Sequence, residues 1–229
     1  MTEEVAGSDS CAAAGDGRLR GGAALKYYWG PMDCGKSTLA LQMDHNHSRQ
    51  GRHGMVLTTN DRSMRGTVTT RIGLAREAVE VTDGMDLRDL VRDQWAAGRR
   101  VDYLICDEAC FYTVAQIEQL ADLVDGYDVD VYAFGLASDF RTHLFPAAQR
   151  LFELADEVVK LQVEVLCWCG RPGLLNARVV GGEIAREGEQ VVIGDTTPDG
   201  SPATTEPHYQ VLCRRHHRTG DLGPRKPAD

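Results

Sequence analysis

The sequence lacks any long hydrophobic run. Its most apolar stretches, such as residues 101–106 around a single Asp, fall far short of the ~20 residues that a membrane-spanning helix needs. The first 24 residues carry acids and glycines but no apolar h-region, so no secretory leader is expected and the chain reads as cytoplasmic. An excess of basic charge is missing too. With 25 Lys and Arg against 34 Asp and Glu, the formal net charge is −9. That balance argues against a protein that coats DNA or RNA by counterion release, though not against a local basic pocket for a phosphate. A disulfide framework is also excluded: seven cysteines are an odd number, and 229 residues need no such staples. In a reducing compartment, clustered cysteines point to metal. What is present, 42% hydrophobic and 26% charged residues, is a globular composition. The length suits one ordinary domain, or a large one plus a small one.

The pattern along the chain predicts an unfolded tail over 1–23, an α/β nucleotide-binding domain over 24–161, a zinc-binding domain over 162–219 and a second tail over 220–229. Leu25, Tyr27, Tyr28 and Trp29 read as a buried strand ended by Gly30, followed by a helix from Lys36 to about Gln50. Further strands are expected at 55–59, 78–81, 103–106 and 129–136. Helices are expected from Asp86 to Gly98, after an N-cap at Thr113 with Gln116 three residues on, and from Pro146 to Leu154. Strands alternating with helices imply a mostly parallel sheet covered by helices. Beyond Leu161 the texture becomes Cys- and Gly-rich with short β-like runs at 177–180, 191–193 and 209–212, broken by a Thr/Pro/Gly-rich loop over 195–207.

Three constellations carry chemistry. Gly30-Pro31-Met32-Asp33-Cys34-Gly35-Lys36-Ser37 fits G-x-x-x-x-G-K-[ST] at every fixed position. The glycines let backbone N–H groups turn toward a β-phosphate, and the following helix aims its positive end at it. Lys36 would reach the β- and γ-phosphates of ATP, and the Ser37 hydroxyl would ligate Mg²⁺. Second, Asp107 and Glu108 end an apolar strand, where a parallel sheet places its ligand. Asp107 suits an acid that orders Mg²⁺, or alternatively a helix cap; Glu108 suits a base or a water-positioning group. Third, Cys167, Cys169, Cys213 and His216 form two pairs suited to a Cys₃His zinc site, with His217 as a rival fourth ligand.

These motifs, read in order as GPMDCGKST, ICDEACF, GLASDFRTHLF and the paired Cys/His knuckles flanking VVIGD and YQVLC, resemble those of the cytosolic (type II) thymidine kinases over roughly residues 25–216. The resemblance implies an α/β P-loop core with a small β-rich zinc domain. It implies γ-phosphoryl transfer from ATP to the 5′-hydroxyl of thymidine or deoxyuridine, a homotetramer, and feedback inhibition by dTTP. Carried onto this chain, it makes Glu108 the base and Asp107 the Mg²⁺-linked acid. Phe140 would stack on the thymine ring, with Met32 and Phe111 lining the pocket. A loop of the zinc domain would cover the base, its backbone near Val192 reading the base edge and Tyr209 touching the nucleoside. Cys110, Ala137 and Asn176 depart from the family pattern, standing where Gln, Asp and Thr are usual. The alternative reading is a P-loop ATPase whose zinc module, with Arg214, Arg215 and Arg218, binds nucleic acid or protein.

Overall fold

The computed structural model describes residues 22–59, 67–69, 75–162, 164–191 and 207–224. The chain enters through β1 (Leu25–Trp29), α1 (Lys36–Arg49) and β2 (Gly54–Thr58), then a short pair, β3 (Thr67–Thr69) and β4 (Ala75–Glu77). Next come β5 (Val79–Glu80), α2 (Leu87–Ala96), β6 (Tyr103–Cys106), α3 (Val114–Tyr127), β7 (Asp130–Gly135), α4 (Pro146–Leu154) and β8 (Glu157–Lys160). A 3₁₀ turn, Ala109–Phe111, sits between β6 and α3. The last elements are β9 (Leu175–Val180), β10 (Glu183–Ile184), β11 (His208–Leu212) and α5 (Arg214–Thr219).

Six strands form one sheet in the order β5-β2-β6-β7-β1-β8, and every neighbouring pair is parallel. Alternate residues of its central strands serve opposite faces. Leu104, Cys106, Val131 and Ala133 join α2, α3 and α4 on one side, where Leu87, Val91, Ile117, Leu120 and Leu151 are buried. Tyr103, Ile105, Tyr132 and Phe134 join Ala40 and Leu41 of α1 on the other. Burial on both faces is why these strands read as continuous apolar runs rather than as an alternating pattern. The helix ends follow local chemistry. Asp86 accepts from the Arg88 and Asp89 amides at the start of α2, and Thr113 and Gln116 make a reciprocal capping box at the start of α3.

In the six-stranded sheet, β1 and β6 lie on either side of β7, so the segments leaving β1 and β6 emerge on one edge, either side of Gly135. A separate antiparallel sheet, β10-β9-β11, carries the Cys/His-rich segment, with Cys167, Ala177, Leu212 and Cys213 at its core. The elements differ from the sequence expectation in four places. β8 has no alternation to reveal it; β10 is two residues long; the β3–β4 pair follows no apolar run; and α5 is a six-residue helix of basic and His residues. Of the strand expected at 191–193, residues 192 and 193 lie outside the described residues, as do both tails apart from 22–23 and 220–224. Among the described residues, no helix is long and apolar enough to cross a membrane.

Candidate active site

The loop from Gly30 to Ser37 closes on itself before α1. Asp33 (φ 64) and Gly35 (φ 81) both adopt the left-handed conformation, which reverses the chain. A Cβ at Gly30 would lie 2.5 Å from the Cys34 sulfur, so any side chain there would have to displace that buried thiol. Cys34 is buried, and burial pushes its thiol above the ordinary value. Lys36 is buried as well; its Nζ donates to the Pro31 carbonyl at 2.9 Å and lies 4.0 Å from the Cys34 sulfur. No side chain caps the first turn of α1, so its forward-pointing amides suit an anion.

Asp107 and Glu108 leave β6 on the same edge. Asp107 is buried, and its amide donates to the Leu57 carbonyl at 2.8 Å. Its Oδ1 accepts from the Glu108 amide at 3.0 Å, so the two acids are held in one rigid turn. Glu108 has φ 51, a left-handed conformation that a non-glycine residue keeps only when its surroundings impose it. The imposing neighbour is the 3₁₀ turn, seated against the end of β7. A Cβ on Gly135 would approach the Cys110 amide nitrogen to 2.9 Å. The Cys110 sulfur lies 3.9 Å from Glu108 Oε2. Burial, reinforced by the Glu108 carboxylate, raises that thiol well above its ordinary value. Cys110 is therefore a neutral filler beside the acid.

The segment 136–145 forms the next wall. Asp139, whose side chain is wholly buried, accepts from the Arg141 and His143 amides, pairs with Arg141, and accepts from Gln190 Nε2 at 3.2 Å. This holds Phe140 in place. The Phe140 ring is 2% exposed, and the Arg178 guanidinium lies 3.8 Å from its centroid. Arg178 also donates to the Tyr209 hydroxyl (3.1 Å) and to the carbonyls of Glu189 (2.7 Å) and Gln190 (3.1 Å). Phe111, half-buried, packs edge-on against Phe145 at 5.2 Å. Met32 is half-buried, and its amide donates to Asn176 Oδ1 at 2.9 Å.

Cys167, Cys169, Cys213 and His216 offer ligand atoms that all lie within 4.8 Å of one another. The Cys169 and Cys213 sulfurs are 4.0 Å apart, close to the about 3.8 Å that two Zn–S bonds at a tetrahedral angle require. The His216 amide holds the Cys213 thiol below its ordinary value, which favours the thiolate that a metal needs. His216 presents Nδ1 to Cys167 at 3.4 Å, while Trp168 stacks on its ring at 4.3 Å. Three thiols and one imidazole in this arrangement can hold a tetrahedral metal ion. His217 lies elsewhere: it is buried with Nε2 2.9 Å from the Phe140 carbonyl, a structural bond in place of the rival ligand role.

Of the residues singled out from sequence, the structure gathers Gly30 to Ser37, Asp107 and Glu108 on one sheet edge. It brings Met32 and Phe140 against the face of the β9–β11 sheet that carries Tyr209, and puts the Cys/His quartet on that sheet's far side. Val192 and residues 195–206 of the following loop lie outside the described residues. Sequence reading passed over Asp139, Arg178 and Gln190. One signal was available. Leu175-Asn176-Ala177-Arg178-Val179-Val180 is an apolar strand interrupted by two polar residues two positions apart, and so on a single face.

Comparison with known proteins bears on this arrangement. A family described as "Thymidine kinase" matches residues 23–217. The thymidine kinase of Cutibacterium acnes is 55% identical over 201 residues, covering 88% of this chain and 91% of that protein. The thymidine kinase of Streptomyces coelicolor is 56% identical over 196 residues, covering 85% and 88%. At greater distance, the thymidine kinase of Legionella pneumophila strain Paris is 33% identical over 204 residues, covering 88% and 92%.

Proposed function

Because this chain belongs to the thymidine kinase family, we propose that it transfers the γ-phosphoryl group of ATP to the 5′-hydroxyl of thymidine or deoxyuridine, in nucleotide salvage for DNA synthesis. One juxtaposition carries the reading. An uncapped helix start with a buried lysine and a rigid acid pair leave two strands of one parallel sheet on the same edge, on either side of β7. In such sheets ligands sit at the carboxyl ends of the strands.

The chemistry follows from the side chains. Glu108 accepts the 5′-hydroxyl proton as the new O5′–Pγ bond forms and the bond from Pγ to the bridging oxygen breaks, leaving ADP. Lys36 and the amides of the loop and α1 bear the charge of the β- and γ-phosphates. Ser37 and Asp107 would hold Mg²⁺, which when bound neutralises phosphate charge. On the nucleoside side, Phe140 would stack on the base, Met32 and Phe111 would line the pocket, and Tyr209 would contact the nucleoside. The backbone near Val192 would read the base edge. Backbone groups built to pair with a pyrimidine edge reject ligands that leave them unpaired. Cys167, Cys169, Cys213 and His216 would hold a structural zinc ion, for which three thiolates and an imidazole are a fitting donor set. The resemblance extends the reading to a cytoplasmic homotetramer inhibited by dTTP, with no stable nucleic-acid or membrane partner.

The test is transfer from γ-labelled ATP with Mg²⁺ across a panel of nucleosides, for the natural chain and Glu108→Gln. Thymidine-dependent transfer that falls about 10²- to 10⁴-fold in the variant is expected for loss of a general base. Hydrolysis of ATP with no nucleoside dependence would refute the kinase reading and favour the ATPase.

A further inference from the structure

β9 has two chemically different faces. Ala177 packs into the core that holds Cys167 and Cys213. Its neighbours Asn176 and Arg178 project from the other face and are both buried, 5% and 3% exposed. Asn176 reaches the phosphate-binding loop: its Oδ1 accepts from the Met32 amide, a contact between residues 144 positions apart. Arg178 reaches the opposite wall, its guanidinium lying over Phe140 and donating to Tyr209, Glu189 and Gln190. Among the described residues Arg178 pairs with no carboxylate. Its charge is met by two backbone carbonyls, a hydroxyl and a π face, a costly arrangement in a buried site unless every donor is used.

We propose that β9 is a two-pronged clamp in which Asn176 and Arg178 are positioning residues, one fixing the phosphate-binding loop and the other fixing the Phe140 ring and the backbone at 189–190. The Cys/His cluster behind Ala177 supports the strand from its other face. The assignment of the two prongs to the ATP and nucleoside sides rests on the function proposed above. The clamp itself rests on the contacts alone. Each prong has its own signature. Losing Asn176 frees the Met32 amide and loosens the loop, which acts on kcat and on the KM for ATP and, because Met32 also lines the nucleoside pocket, on the KM for thymidine as well. Losing Arg178 frees Phe140 and the 189–190 backbone, which acts on the KM for thymidine.

The experiment uses the full chain in four variants, Asn176→Ala, Asn176→Asp, Arg178→Met and Arg178→Lys, with metal content and melting temperature checked for each. Amide hydrogen exchange of the Met32 peptide, measured without substrates, should rise about tenfold in Asn176→Ala, the size expected from one lost hydrogen bond. It should stay near that of the natural chain in Asn176→Asp, which keeps the acceptor. Arg178→Met should speed exchange at 189–191 and raise the thymidine KM about tenfold, with the ATP KM within about twofold. Arg178→Lys, which keeps the charge without the planar fork, should lose less. Unchanged exchange at Met32 in Asn176→Ala, or a fall in kcat alone with both KM values unchanged in Arg178→Met, overturns the clamp. If the natural chain fails to phosphorylate thymidine, the functional reading falls, and the exchange measurements still decide the clamp.

Discussion

Replacing Gly135 by Ala tests how the Glu108 turn is held. The backbone of Gly135 does not adopt a positive φ, so alanine meets no conformational penalty and the effect is one of space alone. Its Cβ would lie 2.9 Å from the Cys110 nitrogen and 3.1 Å from the Cys110 Cβ. The nitrogen is backbone, so no rotamer change relieves the contact. Ordinary contact begins at 3.4 Å, so the 3₁₀ turn must lift by about 0.5 Å from the end of β7. Two effects oppose each other. Overpacking costs about 1–3 kcal/mol, whereas removing glycine's freedom from the unfolded chain returns about 0.4–1 kcal/mol. Overpacking wins, and the net loss of about 0.5–2 kcal/mol lowers Tm by roughly 1–8 °C for a chain of this size. The larger consequence is for turnover. Glu108 begins that turn, and displacements of this order in a reacting group cost about 10- to 100-fold in kcat. The KM for ATP should change less, because the atoms nearest to a Cβ on Gly135 are all those of Cys110 and none belongs to the Gly30–Ser37 loop. Shortening Cys110 to Ala should not rescue the variant, since its amide is the obstacle. Calorimetry with steady-state kinetics reads both effects. A variant with the natural Tm and kcat would show that the turn is not seated on β7, and the account of Glu108's imposed backbone would fail.

Two further outcomes are expected. At the start of α2, the Arg88 side chain and the Arg88 and Asp89 amides hold the Asp86 carboxyl down to about 2. Its folded value lies below the unfolded one, so its contribution is full above about pH 4 and is lost as the pH falls from there toward about 2. Asp86→Ala should therefore cost about 1 kcal/mol near neutral pH, and the gap between the two denaturation midpoints should close over that acid window. A gap independent of pH would refute the assignment. For the Cys/His quartet, His216→Ala should lose bound zinc as read by elemental analysis, whereas His217→Gln should keep it and lose only the bond to the Phe140 carbonyl. The reverse pattern would overturn the choice of fourth ligand.

Five strands of the six-stranded sheet were legible because their cause is local. The unbroken run Tyr103–Cys106 and the run around β7 bury both faces, Thr113 and Gln116 cap α3, and Pro146 starts α4 at the residue expected. The phosphate-loop pattern was legible for the same reason, since its spacing is the requirement of a tight turn. Elements without a local cause were missed. β8 is four residues with no buried position, held by its parallel pairing with β1. α5 owes nothing to an apolar stripe and starts directly after Cys213, one of the quartet.

The same distinction separates the parts of the site. Gly30 to Ser37 and the Asp107–Glu108 pair each lie within one turn, so the sequence displays them whole. The wall around Phe140 does not. Asp139 meets Gln190 across 51 residues, His217 meets Phe140 across 77, and Asn176 meets Met32 across 144. No spacing rule reaches that far. These partners share one physical trait, a polar side chain buried against another segment, and burying such a group is tolerable only when it is paired. In β9, Asn176 and Arg178 announce such pairing by breaking an apolar strand at a period of two. The sequence thus signals that partners must exist on that face, while only the fold says that they are the phosphate-binding loop and the Phe140 wall.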